Sequence, residues 1–152
     1  MLRTHKFYAA LFLALGLLGF VDAGFLTAKH YLNSPIECGL TKGCETVTTS
    51  GFAQILGVPV ALLGAIYYLA IVILAVLYID TSRNKFLFWA SWLTAVGLVA
   101  SAWFVYLQAF VIGAYCEFCL FSAANATMLF VAGLFYRAFF KREMQQFNIN
   151  SP

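Results

Sequence analysis

The stretch Tyr115-Cys116-Glu117-Phe118-Cys119 stands where a short break ends and an apolar run from Phe118 to Tyr136 begins. It reads as a dithiol at the mouth of a membrane helix. Two cysteines three positions apart at a helix start lie on neighbouring faces, close enough to form a disulfide, and the unpaired amides of the first turn stabilise a thiolate. The pattern points to redox chemistry, although half of a zinc site or a chance pair of apolar cysteines has the same local spelling.

Working outward, the 152 residues are 63% hydrophobic, 18% aromatic and only 10% charged, too apolar for a soluble domain. The chain is expected to be an all-α integral membrane protein. Four apolar stretches, forming helices at about 7–28, 56–79, 86–110 and 117–137, each meet the length of roughly 20 residues that a bilayer requires. One domain over residues 1–152 follows: a four-transmembrane-helix bundle with an outer loop at 29–55.

Orientation follows from the basic residues, since Lys and Arg near helix ends are retained in the cytoplasm. Arg3 and Lys6 precede the first span, Arg83 and Lys85 lie between the second and third, and Arg137, Lys141 and Arg142 follow the fourth. Only Lys29 and Lys42 fall on the other side. The expectation is a multi-pass protein of the inner or plasma membrane, with both termini cytoplasmic and Cys38, Cys44, Cys116 and Cys119 at the outer face. An outer compartment tolerates disulfides. The net charge of +3 is explained by this asymmetry and needs no nucleic-acid partner. Arg3 to Lys6 followed by an apolar core and Val21-Asp22-Ala23 imitates a signal peptide, but the apolar character resumes at Gly24-Phe25-Leu26, which favours an uncleaved span.

Along the chain, Asp22 is a carboxylate near the outer end of helix 1, read as satisfied at the interface rather than functional. Gly16, Gly19 and Gly24, with Ala10 and Ala14, are expected to let a neighbouring helix approach closely. The loop from Asn33 to Cys44 is rich in turn residues. Its two cysteines, five residues apart with two glycines between, can close a disulfide that either staples the loop or exchanges with the second dithiol. Glu45 to Leu56 mixes polar and apolar residues, as a short interfacial amphipathic helix does. Pro59 suits the first turn of helix 2, and Tyr67-Tyr68 bring aromatic surface inside the bundle. Trp89, Trp92, Trp103 and Tyr106 read as interfacial anchors, and Gln108 as interfacial too. Asn125 is expected to hydrogen-bond across helices. His5 and His30 look isolated, so no metal site is expected, and the tail from Lys141 shows no site.

These residues together resemble the vitamin K epoxide reductase (VKOR) family, in its single-domain, quinone-coupled bacterial or archaeal form. The resemblance covers nearly the whole chain and rests on the order of features: Cys38 and Cys44, then Val47-Thr48-Thr49-Ser50, then Ile55-Leu56-Gly57-Val58-Pro59-Val60-Ala61-Leu62-Leu63-Gly64 into Tyr67-Tyr68, and finally Cys116-Glu117-Phe118-Cys119. It implies a bundle around a quinone, capped by the interfacial helix. Cys119 would face the quinone, Cys116 would exchange with Cys44, and Cys38 would serve the outside thiol. Ser50 matches a position near the quinone head group, and Val60, Leu63, Tyr67 and Ala123 complete the implied quinone site. Vertebrate members carry Asn and Tyr where this chain has Val60 and Ala123, so the resemblance implies ubiquinone, menaquinone or a related respiratory quinone ahead of a vitamin K epoxide-like compound. With no thioredoxin-like domain visible in the chain, the thiol partner is expected to be a separate extracytoplasmic thioredoxin-fold protein.

Such an enzyme is a membrane thiol oxidase and quinone reductase that supports disulfide-bond formation. A thiolate attacks a disulfide through a mixed disulfide, so electrons hop only between cysteines that touch. The alternatives are a DsbB-type oxidase, which would carry its C-x-x-C in the first outer loop, and a heavy-metal transport protein, which would hold soft thiols along a mid-membrane path.

Overall fold

The computed structural model describes residues 2–36, 38, 39 and 43–149. Lys42, counted above on the outer side, lies outside them, as do Glu37, Leu40 and Thr41 of the loop. In chain order the elements are α1 (Leu2–Tyr31), α2 (Cys44–Thr48), β1 (Gln54–Ile55), β2 (Val58–Pro59), α3 (Val60–Thr81), α4 (Asn84–Tyr106), a π-helical segment (Leu107–Ile112) and α5 (Glu117–Ile149). Among the described residues, four helices are long and apolar enough to cross a membrane, the π segment prolonging α4. α1 and α5 run beyond the apolar stretches because their polar ends, Arg3 to Lys6 and Lys141 to Gln146, stay helical.

α1 packs along α3 and α4 along α5, while α1–α5 and α3–α4 contacts close the bundle. Small residues set these crossings. The ring of Tyr68 lies against Gly19, the methyl groups of Val72 and Ile71 against Gly16, and Ser91 and Thr94 against Gly133. The close approach expected at Gly24, Ala10 and Ala14 is absent: a Cβ on Gly24 would meet no atom within 4 Å, and both alanines are exposed. Those positions turn away from the neighbouring helices. Asn125 Nδ2 donates to the Leu15 carbonyl at 2.9 Å, joining α5 to α1. Trp89, Trp92, Trp103 and Tyr106 point outward, as anchors do.

One end of the bundle carries the α3–α4 turn at Ser82-Arg83 with the first turns of α1 and the last turns of α5. His5, expected to be isolated, is buried there, and its Nε2 meets Glu143 Oε2 at 3.0 Å. The helical continuation of α5 brings Glu143 back over α1, which the composition of the tail did not reveal. The opposite end carries the described residues of 32–59, the link 113–116 and all four cysteines.

The interfacial helix expected over Glu45 to Leu56 is cut to the five residues of α2. Hydroxyls stop it. Thr48 Oγ1 donates to Cys44 O at 2.8 Å, Thr49 Oγ1 to Glu45 O at 2.6 Å and Ser50 Oγ to Val47 O at 2.7 Å, and Gly51 follows. The chain then forms a two-residue antiparallel hairpin, Gln54 opposite Pro59 and Ile55 opposite Val58. Leu56 (φ 53°) and Gly57 (φ 82°) make the turn, both left-handed, as the twist of a tight hairpin demands. Helix 2 therefore starts at Val60 rather than Leu56, with Pro59 as its cap.

Candidate functional site

The site begins where α4 changes pitch. From Leu107 to Ile112 the helix widens to a π turn, and the consecutive Leu107 and Gln108 are both buried. Gly113, at φ 68°, ends the segment and turns the chain toward α5. Gln108, expected at the interface, instead accepts a hydrogen bond through Oε1 from the buried backbone N–H of Cys116 at 2.8 Å. That bond holds the first cysteine at the helix mouth.

Cys116 occupies the capping position of α5, its carbonyl accepting from the Leu120 N–H at 3.0 Å. Its sulfur is bonded by the Cys119 side chain and by the backbone N–H groups of Cys119 and Phe118, the donors a helix start offers its cap. The Cys119 thiol and these amides hold the Cys116 thiol below the ordinary thiol range, at about 7, against the opposing effect of burial. Activation by the helix start, expected at the dithiol, falls on Cys116. The second cysteine sits in the next turn, deeper in the bundle.

Cys38 and Cys44 form a disulfide, with Cα atoms 5.8 Å apart, and Cys116 and Cys119 are free thiols. Cys44 and Cys116 are both fully buried and share one cluster with Leu26, Ile36 and Val47, against which Cys38 and Cys119 pack. Gly43 seats the loop there: a Cβ on it would stand 2.6 Å from the Tyr115 carbonyl oxygen and 2.8 Å from its nitrogen. Only a glycine allows the residue before Cys44 to rest on the backbone just before Cys116.

Inward of the dithiol lies a cavity of about 380 Å³ with nearly apolar walls. Cys119, Ser50, Val60, Leu63, Tyr67 and Ala123 all line it, so the structure brings the six residues of the expected quinone site to one space. The Ser50 hydroxyl already donates to Val47 O, leaving its lone pairs for the cavity. Tyr68 bonds Ser122 at 2.9 Å, whereas the buried Tyr67 hydroxyl has no partner and rests against Gly97. Sequence reasoning missed Gln108 and Ser122 and set aside Asp22, each of which lines this space. A carboxylate within an apolar span was the available signal for Asp22. Among the described residues no three His, Cys, Asp or Glu side chains converge as metal ligands do.

The family model described as "Vitamin K epoxide reductase family" matches residues 10–134. No individual curated protein matches the chain significantly. The chain belongs to the vitamin K epoxide reductase family and is a multi-pass membrane oxidoreductase.

Proposed function

We propose that this family member is a thiol oxidase and quinone reductase, its whole length forming one VKOR-like domain. Electrons enter from a thioredoxin-fold thiol protein at Cys38, pass from the loop pair to Cys116 through Cys44, and leave from Cys119 to a quinone in the cavity. The observation that carries this reading is the continuous placement of sulfur: a loop disulfide packed against a buried, activated thiol, whose partner Cys119 lines an apolar cavity. Both termini face the cytoplasm and the cysteines the outer side, as the Lys and Arg asymmetry supports.

The cavity suits a quinone ring. Its size and apolar walls match small-molecule sites that fix a ligand with few polar groups. The Tyr67 hydroxyl, buried without a partner, is a donor available to a carbonyl oxygen. When bound, the quinone supplies the two-electron acceptor. The protein's own residues do the rest: reduced Cys44 attacks the oxidised α5 pair at Cys116, Cys38 then closes on Cys44 and releases Cys116 as a thiolate, Gln108 holds the Cys116 backbone, and the apolar walls exclude water. With Val60 and Ala123 in the wall, no amide or phenol stands at those two positions, which favours ubiquinone or menaquinone over a vitamin K epoxide-like compound.

Purified protein in lipid nanodiscs should reduce menadione at the expense of dithiothreitol. Cys119→Ser should reduce this to background, and Cys38→Ser should spare it, because a small dithiol reaches Cys116 directly. Full turnover by Cys119→Ser would sink the reading.

A further inference from the structure

We propose that Asp22 carries the proton between the α5 dithiol and the bound quinone, a role that rests on the quinone reading above. Asp22 lies in the wall of the cavity that Cys119 also lines. It is 9% exposed, and its Oδ2 has no hydrogen-bond partner. No ion pair to a basic side chain reaches it among the described residues. A carboxylate held in an apolar span with an unpaired oxygen has no structural partner to account for it, and its surroundings are those of a reaction. On α1 the cavity is lined by Asp22, Ala23, Leu26 and His30, and the eight residues from Asp22 to His30 put Asp22 about 12 Å along the helix from the His30 end of the cavity. The other titratable groups facing it are Tyr67 and Tyr68 of α3 and Cys116 and Cys119 at the start of α5.

The chemistry requires such a group. Oxidation of the dithiol breaks two S–H bonds and forms the Cys116–Cys119 bond; the electron pair passes to the quinone, and two O–H bonds form on its oxygens. Cys116 leaves the exchange with the loop as a thiolate, the partly exposed Cys38 having given its proton to water on the outer side, and that water supplies one proton in return. Cys119 is different. Its proton must leave inside an apolar cavity as its sulfur closes on Cys116, where water is scarce. The Asp22 carboxylate takes that proton and delivers it to the nearer quinone oxygen, ending as the carboxylate it began. Asp22 is thus a catalytic acid–base residue, separate from the sulfur relay that precedes it.

The test uses the full chain in nanodiscs, reduced beforehand and freed of excess dithiol, with menadione as probe. In Asp22→Asn, single-turnover menadione reduction should fall about 100-fold or more, the scale of a lost general acid–base. Its menadione affinity, its two titratable α5 thiols and the Cys116 exchange with the loop disulfide should stay at wild-type values. Asp22→Glu should recover much of the rate. A redox-difference infrared spectrum of the wild type should carry a carboxyl band that Asp22→Asn lacks. Wild-type reduction rates in Asp22→Asn would overturn the proposal, as would loss of menadione affinity in step with rate, or survival of the carboxyl band. If Asp22→Asn does not insert, Asp22→Ser and Asp22→Glu are read by the same criteria. An inactive wild type that still exchanges thiols would instead overturn the quinone reading.

Discussion

The two halves of the bundle are built from the same four helices and packed in opposite ways. Toward the end that carries His5 and Glu143, large side chains meet small ones: Phe12, Ile71, Leu87, Leu129 and Tyr136 are fully buried among Ala9, Ala75 and Ala90. His5 and Phe12 meet the ring of Tyr136 edge-on, and Phe140 stacks on it. Toward the cysteine end, small faces small. Ala23, Ala61, Gly64, Ala100, Ala123 and Ala126 all border the cavity. A small residue opposite a ring draws two helices together, as Gly19 does beneath Tyr68; opposite another small residue it leaves volume. The filled half is a foundation, and the open half a container.

If that contrast holds, substitutions in the open half should alter chemistry and those in the filled half stability. The largest effect is expected from Gly43→Ala, whose methyl group would strike the Tyr115 backbone and lift the loop disulfide from Cys116. Turnover with a protein thiol should fall by about 100-fold, the scale of a small misplacement of reacting groups. Menadione reduction by dithiothreitol should persist, and its parallel loss would show that Gly43 shapes the cavity itself.

Next is the pH dependence of the activated thiol. The Cys116 thiol is held below the ordinary thiol range, so its thiolate is present above the lowered pKa and lost as the pH falls through it. Alkylation of Cys116 by iodoacetamide should fall about tenfold per pH unit on the acid side. In Cys119→Ala the inflection should move upward, since the side-chain donor that most stabilises the Cys116 thiolate is lost. An unmoved inflection would assign the effect to the helix start alone.

A paired substitution then sets the halves against each other. Gly97→Ala collides with the Tyr67 hydroxyl and should push that ring into the cavity, weakening menadione binding by roughly tenfold, within the usual cost of overpacking. Gly133→Ala meets Thr94 Oγ1 and the Ser91 carbonyl and should lower the thermal midpoint while leaving affinity unchanged. Exchanged phenotypes would break the comparison. Smallest of all, Asn125→Ala removes the bond to Leu15 O and should cost about 0.6 kcal/mol by reversible unfolding, near the average for such bonds in membranes.

Hydropathy and cysteine spacing made the spans, the bundle and both dithiols legible, because each depends on residues close in the chain. Asn125 was legible for the same reason, as a lone amide in an apolar span. What escaped reading depends on register or on distant partners. Gln108 turns inward only because the π segment rotates the helix beyond Tyr106, a change that leaves composition untouched. The hairpin was hidden by Leu56, a residue seldom placed in the left-handed region. α2 was overdrawn because its hydrophobic pattern continues while its hydroxyls turn back onto their own carbonyls. The Glu143 partner of His5 lies at the far end of the chain.

The cavity draws its walls from α1, the hairpin region, α3, α4 and α5, and the thiol that faces it belongs to α5, the last of the four helices to leave the ribosome. In the proposed topology the loop with Cys38 and Cys44 reaches the outer compartment before α5 is made, so its surroundings can oxidise it before the cavity is complete. Insertion of α5 then closes the cavity wall and brings Cys116 and Cys119 to it in one event. Under the proposed relay, a truncated or stalled chain lacking that helix would be a redox dead end, incapable of draining thiols from its compartment.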